Sequence, residues 1–192
     1  MAVDMTGIAV QVHGGMGFIE ETGVAQHWRD SRITTIYEGT NGIQAMDLVG
    51  RKLGLKGGAV VAGLLNEIGA LDAQLAGRPE LQQTRSELSA ALDAVRGTTQ
   101  WLMEHASDQT ALLSGATPYL RQMSVLVGGY SMARSALLAL SAGSLDDESK
   151  AARVGTARFF CEQLLPQVHG LSGAVMGDSG LLMSFSAEAL AR

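Results

Sequence analysis

Glu38 is the residue of this chain best placed to do chemistry. It stands between an aromatic residue and a glycine in the run Ile36-Tyr37-Glu38-Gly39-Thr40-Asn41-Gly42-Ile43-Gln44. A carboxylate can act as a general base when it is held ionised within reach of the proton it removes. The residues that follow predict a helix over 43–53, because Ile43, Met46, Leu48, Val49 and Leu53 mostly fit the three-to-four spacing of one buried stripe. Thr40 or Asn41 is the predicted N-cap, since a short side-chain oxygen can accept from a free amide of the first turn. Glu38 therefore falls just before a helix start, on a turn that Gly39 relaxes, where the helix dipole favours an anion. A glutamate before a helix is more often a solvated capping residue than a base, so spacing alone leaves both readings open.

The elements that must position Glu38 lie on both sides of it. Residues 4–13 predict the end of a helix that starts without a convincing cap, as expected of a chain cut from something longer. Gly14-Gly15-Met16-Gly17-Phe18 is predicted to stop that helix. Clustered glycine amides can also hold a phosphate. The dinucleotide fingerprint needs GxGxxG between a strand and a helix, and neither the spacing nor the strand is present, so a Rossmann site is excluded. Residues 24–33 predict a short helix with Trp28 and Ile33 inward and Arg29-Asp30 as an ion pair or capping pair. Thr34-Thr35-Ile36 is β-branched and predicts an extended lead into Glu38.

Beyond Leu53, Gly54, Gly57 and Gly58 mark a boundary. A helix over 60–75 follows, then a Gly77-Arg78-Pro79 turn. The next helix carries Leu81, Leu88, Leu92, Val95, Thr99 and Leu102. Thr117-Pro118 is predicted to open a third helix as N-cap and first residue, with Leu120, Met123, Val127 and Leu137 as its stripe. Gly128-Gly129 would let another helix cross closely. Asp146-Asp147-Glu148 puts negative charge at the start of a last helix, 147 to about 170, and 177–192 is less regular. Four sizeable helices with short connections predict an all-α fold containing an antiparallel four-helix bundle. The division is 1–56 and 57–192. Met103, Met123, Met132, Met176 and Met183 are expected as adaptable packing or interface filler. Arg121, Arg134 and Arg158 are expected on solvated faces.

Composition removes several function classes. The chain has 192 residues, 46% of them hydrophobic and 17% charged, against a usual charged share of about a quarter. That deficit suggests apolar surface reserved for partners or for other parts of a larger protein. The net charge of −5, without a basic block, excludes the electrostatic footprint of a nucleic-acid binder. Cys161 is the single cysteine, so no intramolecular disulfide can form and a reducing cytoplasm is the default. His13, His27, His105 and His169 are scattered, and no metal site is expected. No apolar run is expected to span a bilayer, and the first residues do not read as a secretory signal.

Residues 11–53 taken together are far more specific than any motif within them. Gln11-Val12-His13-Gly14-Gly15-Met16-Gly17-Phe18, then Trp28-Arg29-Asp30, then Ile36 to Gln44, in this order and spacing, closely resemble the C-terminal helical domain of the acyl-CoA dehydrogenases. Residues 58–192 resemble the additional helical domain of larger bacterial members, the 3-methylmercaptopropionyl-CoA dehydrogenase group. Ala116-Thr117-Pro118-Tyr119-Leu120 and the run from Ala157 to Pro166 carry that weaker likeness.

The resemblance implies oxidation of an acyl-CoA thioester to the trans-2-enoyl-CoA. In the family a glutamate removes the α-proton, hydride passes to N5 of FAD, and electrons leave to an electron-transferring flavoprotein. Glu38 matches the base of the short- and medium-chain branch, whose position is not an acid in the long-chain and isovaleryl branches. Its backbone amide matches a donor to the thioester oxygen, where enolate charge develops. Gly39 matches a substrate-contacting position. Gln11, Val12, His13, Gly14 and Gly15 match a segment touching the FAD of a neighbouring subunit, and Thr40, Asn41 and Gly42 match FAD contacts within the subunit. Gly42 departs from the acid or amide often found there, so only backbone contact is implied. The family's N-terminal helical domain and middle β-domain have no counterpart here. The chain alone is expected neither to retain FAD well nor to turn over substrate. A homo-oligomer, dimer or tetramer, is implied. The alternative from a different class is a non-catalytic assembly module whose Glu38 is vestigial.

Overall fold

The computed structural model describes residues 2–191, and every regular element among them is helical. The contacts divide the chain into one unit up to Gln44 and a second from Ala45 onward.

The first unit contains α1 (Ala2–Val12), α2 (Gly15–Phe18) and α3 (Val24–Arg32). α1 lies against α3, with the Thr6 and Ser31 hydroxyls 2.9 Å apart and the Trp28 indole over Gly7. Trp28 and Ile33 are 42% and 55% exposed, so neither faces inward as predicted. Only Gly17 and Ala25 are buried among the described residues of this unit. Its helices are too few and too short to enclose their own apolar stripes. Arg29 reaches Glu20 rather than Asp30, in a two-pronged pair at 2.7 Å. That hydrogen bond holds Glu20 below its ordinary range and raises Arg29.

One local prediction holds and another is corrected. The glycine cluster ends α1 at a left-handed Gly14 (φ 58°), as predicted, and the chain then turns helical again as α2. Ile33–Thr35 is a 3-10 turn, not an extended lead. The Thr34 and Thr35 hydroxyls donate to the carbonyls of Ser31 and Arg32, which gives these β-branched residues local partners in a helical conformation.

α4 (Asn41–Asp47) is followed by a π-helical turn over Leu48–Lys52. The buried residues here are Ala45, Val49 and Leu53, whereas Ile43 and Met46 are exposed, which narrows the predicted stripe. Asp47 is paired with Arg51 at 2.6 Å and Lys52 at 3.0 Å, and these hydrogen bonds pull its carboxyl down to about 2.

The second unit continues with α5 (Ala59–Ala70), α6 (Asp72–Ala76), α7 (Gln82–Glu104), α8 (Gln109–Ser114), α9 (Ala116–Ser141), α10 (Asp147–Phe159), α11 (Gln167–Val175), α12 (Ser179–Met183) and α13 (Ala187–Leu190). The predicted third helix starts earlier than expected. Pro118 is its third residue, and the preceding α8, capped by Asp108 on the Ala111 amide, was not foreseen. The predicted last helix starts on an Asp146 cap, passes through a π turn at Phe160–Leu164 and resumes after Pro166 to reach Val175.

Side-chain pairings fix the bundle's directions. Asp72 pairs with Arg85 and Asn66 with Arg96, so α5–α6 run antiparallel to α7. Thr98 meets Gln122 and Thr99 meets Tyr119, so α7 and α9 are antiparallel. Gln122 meets Val168, and Gly129 meets Cys161, so the last helical run opposes α9. The predicted close crossing is present. A Cβ on Gly128 would stand 2.8 Å from the Phe160 ring, and one on Gly129 would stand 3.0 Å from Leu165.

A polar layer crosses the apolar core. The Thr98 hydroxyl donates to Gln122 Oε1 at 2.7 Å, and Gln122 Nε2 donates to the Val168 carbonyl and the Ser172 hydroxyl at 3.0 Å. Among the described residues no buried side-chain polar atom lacks a partner, so the layer avoids the penalty of unpaired burial.

Two stretches, Leu55–Ala76 and Ala116–Ser141, are long and apolar enough to cross a membrane by length and composition, contrary to expectation. Here they are bundle helices, and α9 buries Tyr119, Leu126, Ala133 and Ala136 among α7, α10 and α11.

Two outcomes test this packing. A Cβ on Gly115 would lie 2.5 Å from the Val175 carbonyl, so Gly115→Ala should destabilise the bundle by about 1–3 kcal/mol in urea unfolding. Burial pushes the Cys161 thiol and the Tyr119 phenol each up to about 12, from 9.0 and 10.0. Folding holds both protons more tightly, so this contribution is complete below the ordinary values and is lost as pH climbs from 9 toward 12. The urea midpoint should fall across that window, and Cys161 should resist thiol reagents at pH 8 until the chain unfolds.

Candidate active site

The Glu38 bend is built from its neighbours' hydrogen-bonding needs. The Ile33 carbonyl accepts from the amides of Ile36 and Tyr37, both at 3.0 Å, and closes the 3-10 turn. The chain then leaves that turn through two consecutive residues in the left-handed region, Glu38 at φ 56° and Gly39 at φ 102°. Gly39 takes this conformation at no steric cost, whereas a side-chain-bearing residue there costs about 1–2 kcal/mol. Thr40 starts α4: its carbonyl accepts from the Gln44 amide at 2.9 Å, and its hydroxyl accepts from the Ile43 amide at a long 3.4 Å. The capping role foreseen for Thr40 or Asn41 therefore goes to Thr40.

Gln44 closes the bend. Its Nε2 donates to the Glu38 carbonyl at 2.6 Å. A Cβ on Gly39 would stand 3.2 Å from that same nitrogen and 3.3 Å from Ile43 Cγ2, so Gly39 also leaves room for the clamp. Sequence reasoning assigned Gln44 no role. The available signal was an amide side chain one turn inside a helix that begins two residues after a glutamate–glycine pair.

The Glu38 side chain is exposed and, among the described residues, its carboxylate makes no hydrogen bond or ion pair. Exposed Ile36, Tyr37 and Ile43 flank it along the chain. Gly39 is half-buried, and Thr40, Asn41 and Gly42 are exposed.

The second predicted cluster sits at the bend between α1 and α2. Gln11, Val12, His13, Gly14 and Gly15 are all exposed, with Val12 at 79%. Nothing lies within 4 Å of where a Cβ on Gly14 or Gly15 would be, so the backbone there is open to close approach. The bend is held by Gly17, which donates to the Gly14 carbonyl at 3.0 Å and packs on Val10 where a methyl group could not fit. Among the described residues no hydrogen bond links this bend to the one at Glu38.

Comparison with known proteins gives these bends a context. The family described as "Acetyl-CoA dehydrogenase C-terminal like" matches residues 64–186, and "Acyl-CoA dehydrogenase, C-terminal domain" matches residues 1–53. The chain belongs to the acyl-CoA dehydrogenase family. It is similar to 3-methylmercaptopropionyl-CoA dehydrogenase of Ruegeria pomeroyi, 40% identical over 95% of this chain and 32% of that protein. It is 32% identical to the broad-specificity linear acyl-CoA dehydrogenase FadE5 of Mycobacterium tuberculosis, over 82% of this chain and 28% of that protein. A butyryl-CoA dehydrogenase of Syntrophomonas wolfei is 49% identical over 36% of this chain and 11% of its own length. The chain thus spans about a third of the length of the first two relatives. It carries the C-terminal helical domains of an acyl-CoA dehydrogenase.

The α1–α2 bend yields a direct prediction. Gly17→Ala would force a methyl group into the Val10 backbone and within 2.9 Å of His13 Cβ. It should open the bend, and amide exchange at His13, Gly14 and Gly17 should accelerate at least about tenfold, the factor equivalent to 1.4 kcal/mol.

Proposed function

We propose that this chain supplies the catalytic base, Glu38, and part of the flavin cradle of an FAD-dependent dehydrogenase that oxidises acyl-CoA to trans-2-enoyl-CoA. The observation that carries this reading is the left-handed Glu38 at an exposed bend (φ 56°), next to a left-handed Gly39. A side chain kept in an unfavourable backbone conformation is a common mark of a functional constraint. A capping role does not account for it, because Thr40 caps α4.

On this reading the Glu38 carboxylate takes the proton from the carbon next to the thioester. The Glu38 backbone N–H faces the developing enolate oxygen, and Gly39 leaves space for the substrate. The residues at hand suit a flavin nucleotide as partial contacts. The open backbone at Gly14 and Gly15 admits close approach of a diphosphate-bearing group, and Asn41 and Gly42 are exposed where α4 begins. FAD, when bound, accepts the hydride from the β-carbon. Acyl-CoA as substrate, an electron-transferring flavoprotein as acceptor and a second copy of the chain as neighbour belong to the same proposal. So does the division of labour between residues 1–56, which carry the chemistry, and 57–192, which form the bundle.

In the full-length, FAD-loaded protein, Glu38→Gln should abolish flavin reduction by acyl-CoA while leaving the flavin spectrum stoichiometric. Unchanged reduction would remove Glu38 from the role. The 192-residue chain by itself should purify without a stoichiometric flavin spectrum, and one retained through purification would overturn that part of the reading.

A further inference from the structure

We infer that Gln44 is a positioning residue for the Glu38 carboxylate, acting through the Glu38 backbone carbonyl. The inference rests on the proposed role of Glu38 and adds how the base is aimed. A base working on a C–H bond must be placed within a fraction of an ångström, and small misplacements are expensive in rate. Glu38 has an exposed side chain, and among the described residues no partner on its carboxylate fixes it from outside. Its aim must then come from the backbone, because φ, ψ and the direction of the Cα–Cβ bond follow from how the peptide planes on either side are held.

The plane leaving Glu38 and the chain one residue before it are held at two points. The amides of Ile36 and Tyr37 are tied to the Ile33 carbonyl, which fixes the chain entering Glu38. The carbonyl leaving Glu38 is tied to Gln44 Nε2 at 2.6 Å, and Gln44 itself is anchored in α4 by its amide on the Thr40 carbonyl at 2.9 Å. The second tie crosses the bend from the helix that follows it. Without that tie, the left-handed conformation of Glu38 would have no visible compensation and could relax to a negative φ, swinging the carboxylate away. Gly39 belongs to the same device, because a side chain there would press on Gln44 Nε2.

The test uses Gln44→Met, which keeps length and removes the donor, and Gln44→Lys, which restores an N–H donor at comparable reach. In the FAD-loaded full-length enzyme, Gln44→Met should slow flavin reduction by acyl-CoA about 10- to 100-fold, with KM changed less than about threefold and FAD content unchanged. Gln44→Lys should recover most of the rate. In the isolated chain, the strong intraresidue HN–Hα NOE that a positive φ gives Glu38 should weaken in the Met variant and return in the Lys variant. A Met variant with wild-type rate, or with an unchanged Glu38 intraresidue NOE, would overturn the inference. So would a rate loss that merely tracks lost FAD and is not rescued by Lys. If Glu38→Gln keeps its activity, the parent reading falls instead. The NOE measurement reports on the clamp in either case.

Discussion

The candidate site depends on two adjacent residues, Glu38 and Gly39, turning through the left-handed region. This reversal ends one helical turn and starts another within a few residues, and it leaves the carboxylate on the outside. Everything nearby follows from making the reversal affordable. Ile33 closes the incoming turn, Thr40 caps the outgoing helix, and Gln44 reaches back to the Glu38 carbonyl. Gly39 removes the steric cost from one of the two residues. The remaining cost falls on Glu38, and a hydrogen bond of net strength about 0.5–1.5 kcal/mol is of the size needed to offset it.

The bundle solves a different problem with different means. Its helices bury a continuous apolar cluster, and α9 approaches the last helical run closely because Gly128 and Gly129 present no side chain to Phe160 and Leu165. Such a smooth contact alone would tolerate slippage. Gln122 sets the registry: it accepts from Thr98 on one neighbour and donates to Val168 and Ser172 on another. A one-residue slip would strand a buried amide, which costs more than the bonds themselves contribute. The π turn at Phe160–Leu164 places Phe160 and Cys161 against α9 within the same close contact.

The helical class, the bundle and the glycine crossing were legible in the sequence because they rest on strong, repeated signals. Leu88, Leu92, Val95 and Leu102 recur on one face, and all are buried. The misses have local physical causes. Thr34 and Thr35 suggested an extended chain, but hydroxyl bonds to carbonyls three residues back kept them in a 3-10 turn. Pro118 suggested a helix start, but the helix begins two residues before it, at Ala116, and Pro118 falls within the first turn, where its missing N–H is still tolerated. Arg29 was paired with its sequence neighbour Asp30, yet adjacent residues on a helix do not face each other, and Glu20 across the turn was in reach. At the site, the glutamate–glycine bend and its cap could be read directly. The left-handed φ of Glu38 could not, because a glutamate gives no sign of it, and the Gln44 tie left only the position of one amide side chain, which many helices share.

The bland alternative for Glu38, a solvated residue beside a helix start, has to explain why a glutamate occupies a conformation better suited to glycine or asparagine. It does so poorly, since capping is already done by Thr40. The proposed reading explains the conformation but raises its own difficulty: a carboxylate in open water is too well solvated to remove a proton from carbon. The surroundings supply a resolution. Ile36, Tyr37 and Ile43, all about half exposed or more, flank the bend along the chain, in a unit that buries almost none of its apolar side chains. Covering those side chains would remove water from the same place in which the carboxylate stands. The apolar surface that makes the first unit poor at stabilising itself is thus what the proposed chemistry would use, and docking and activation of the base become one event.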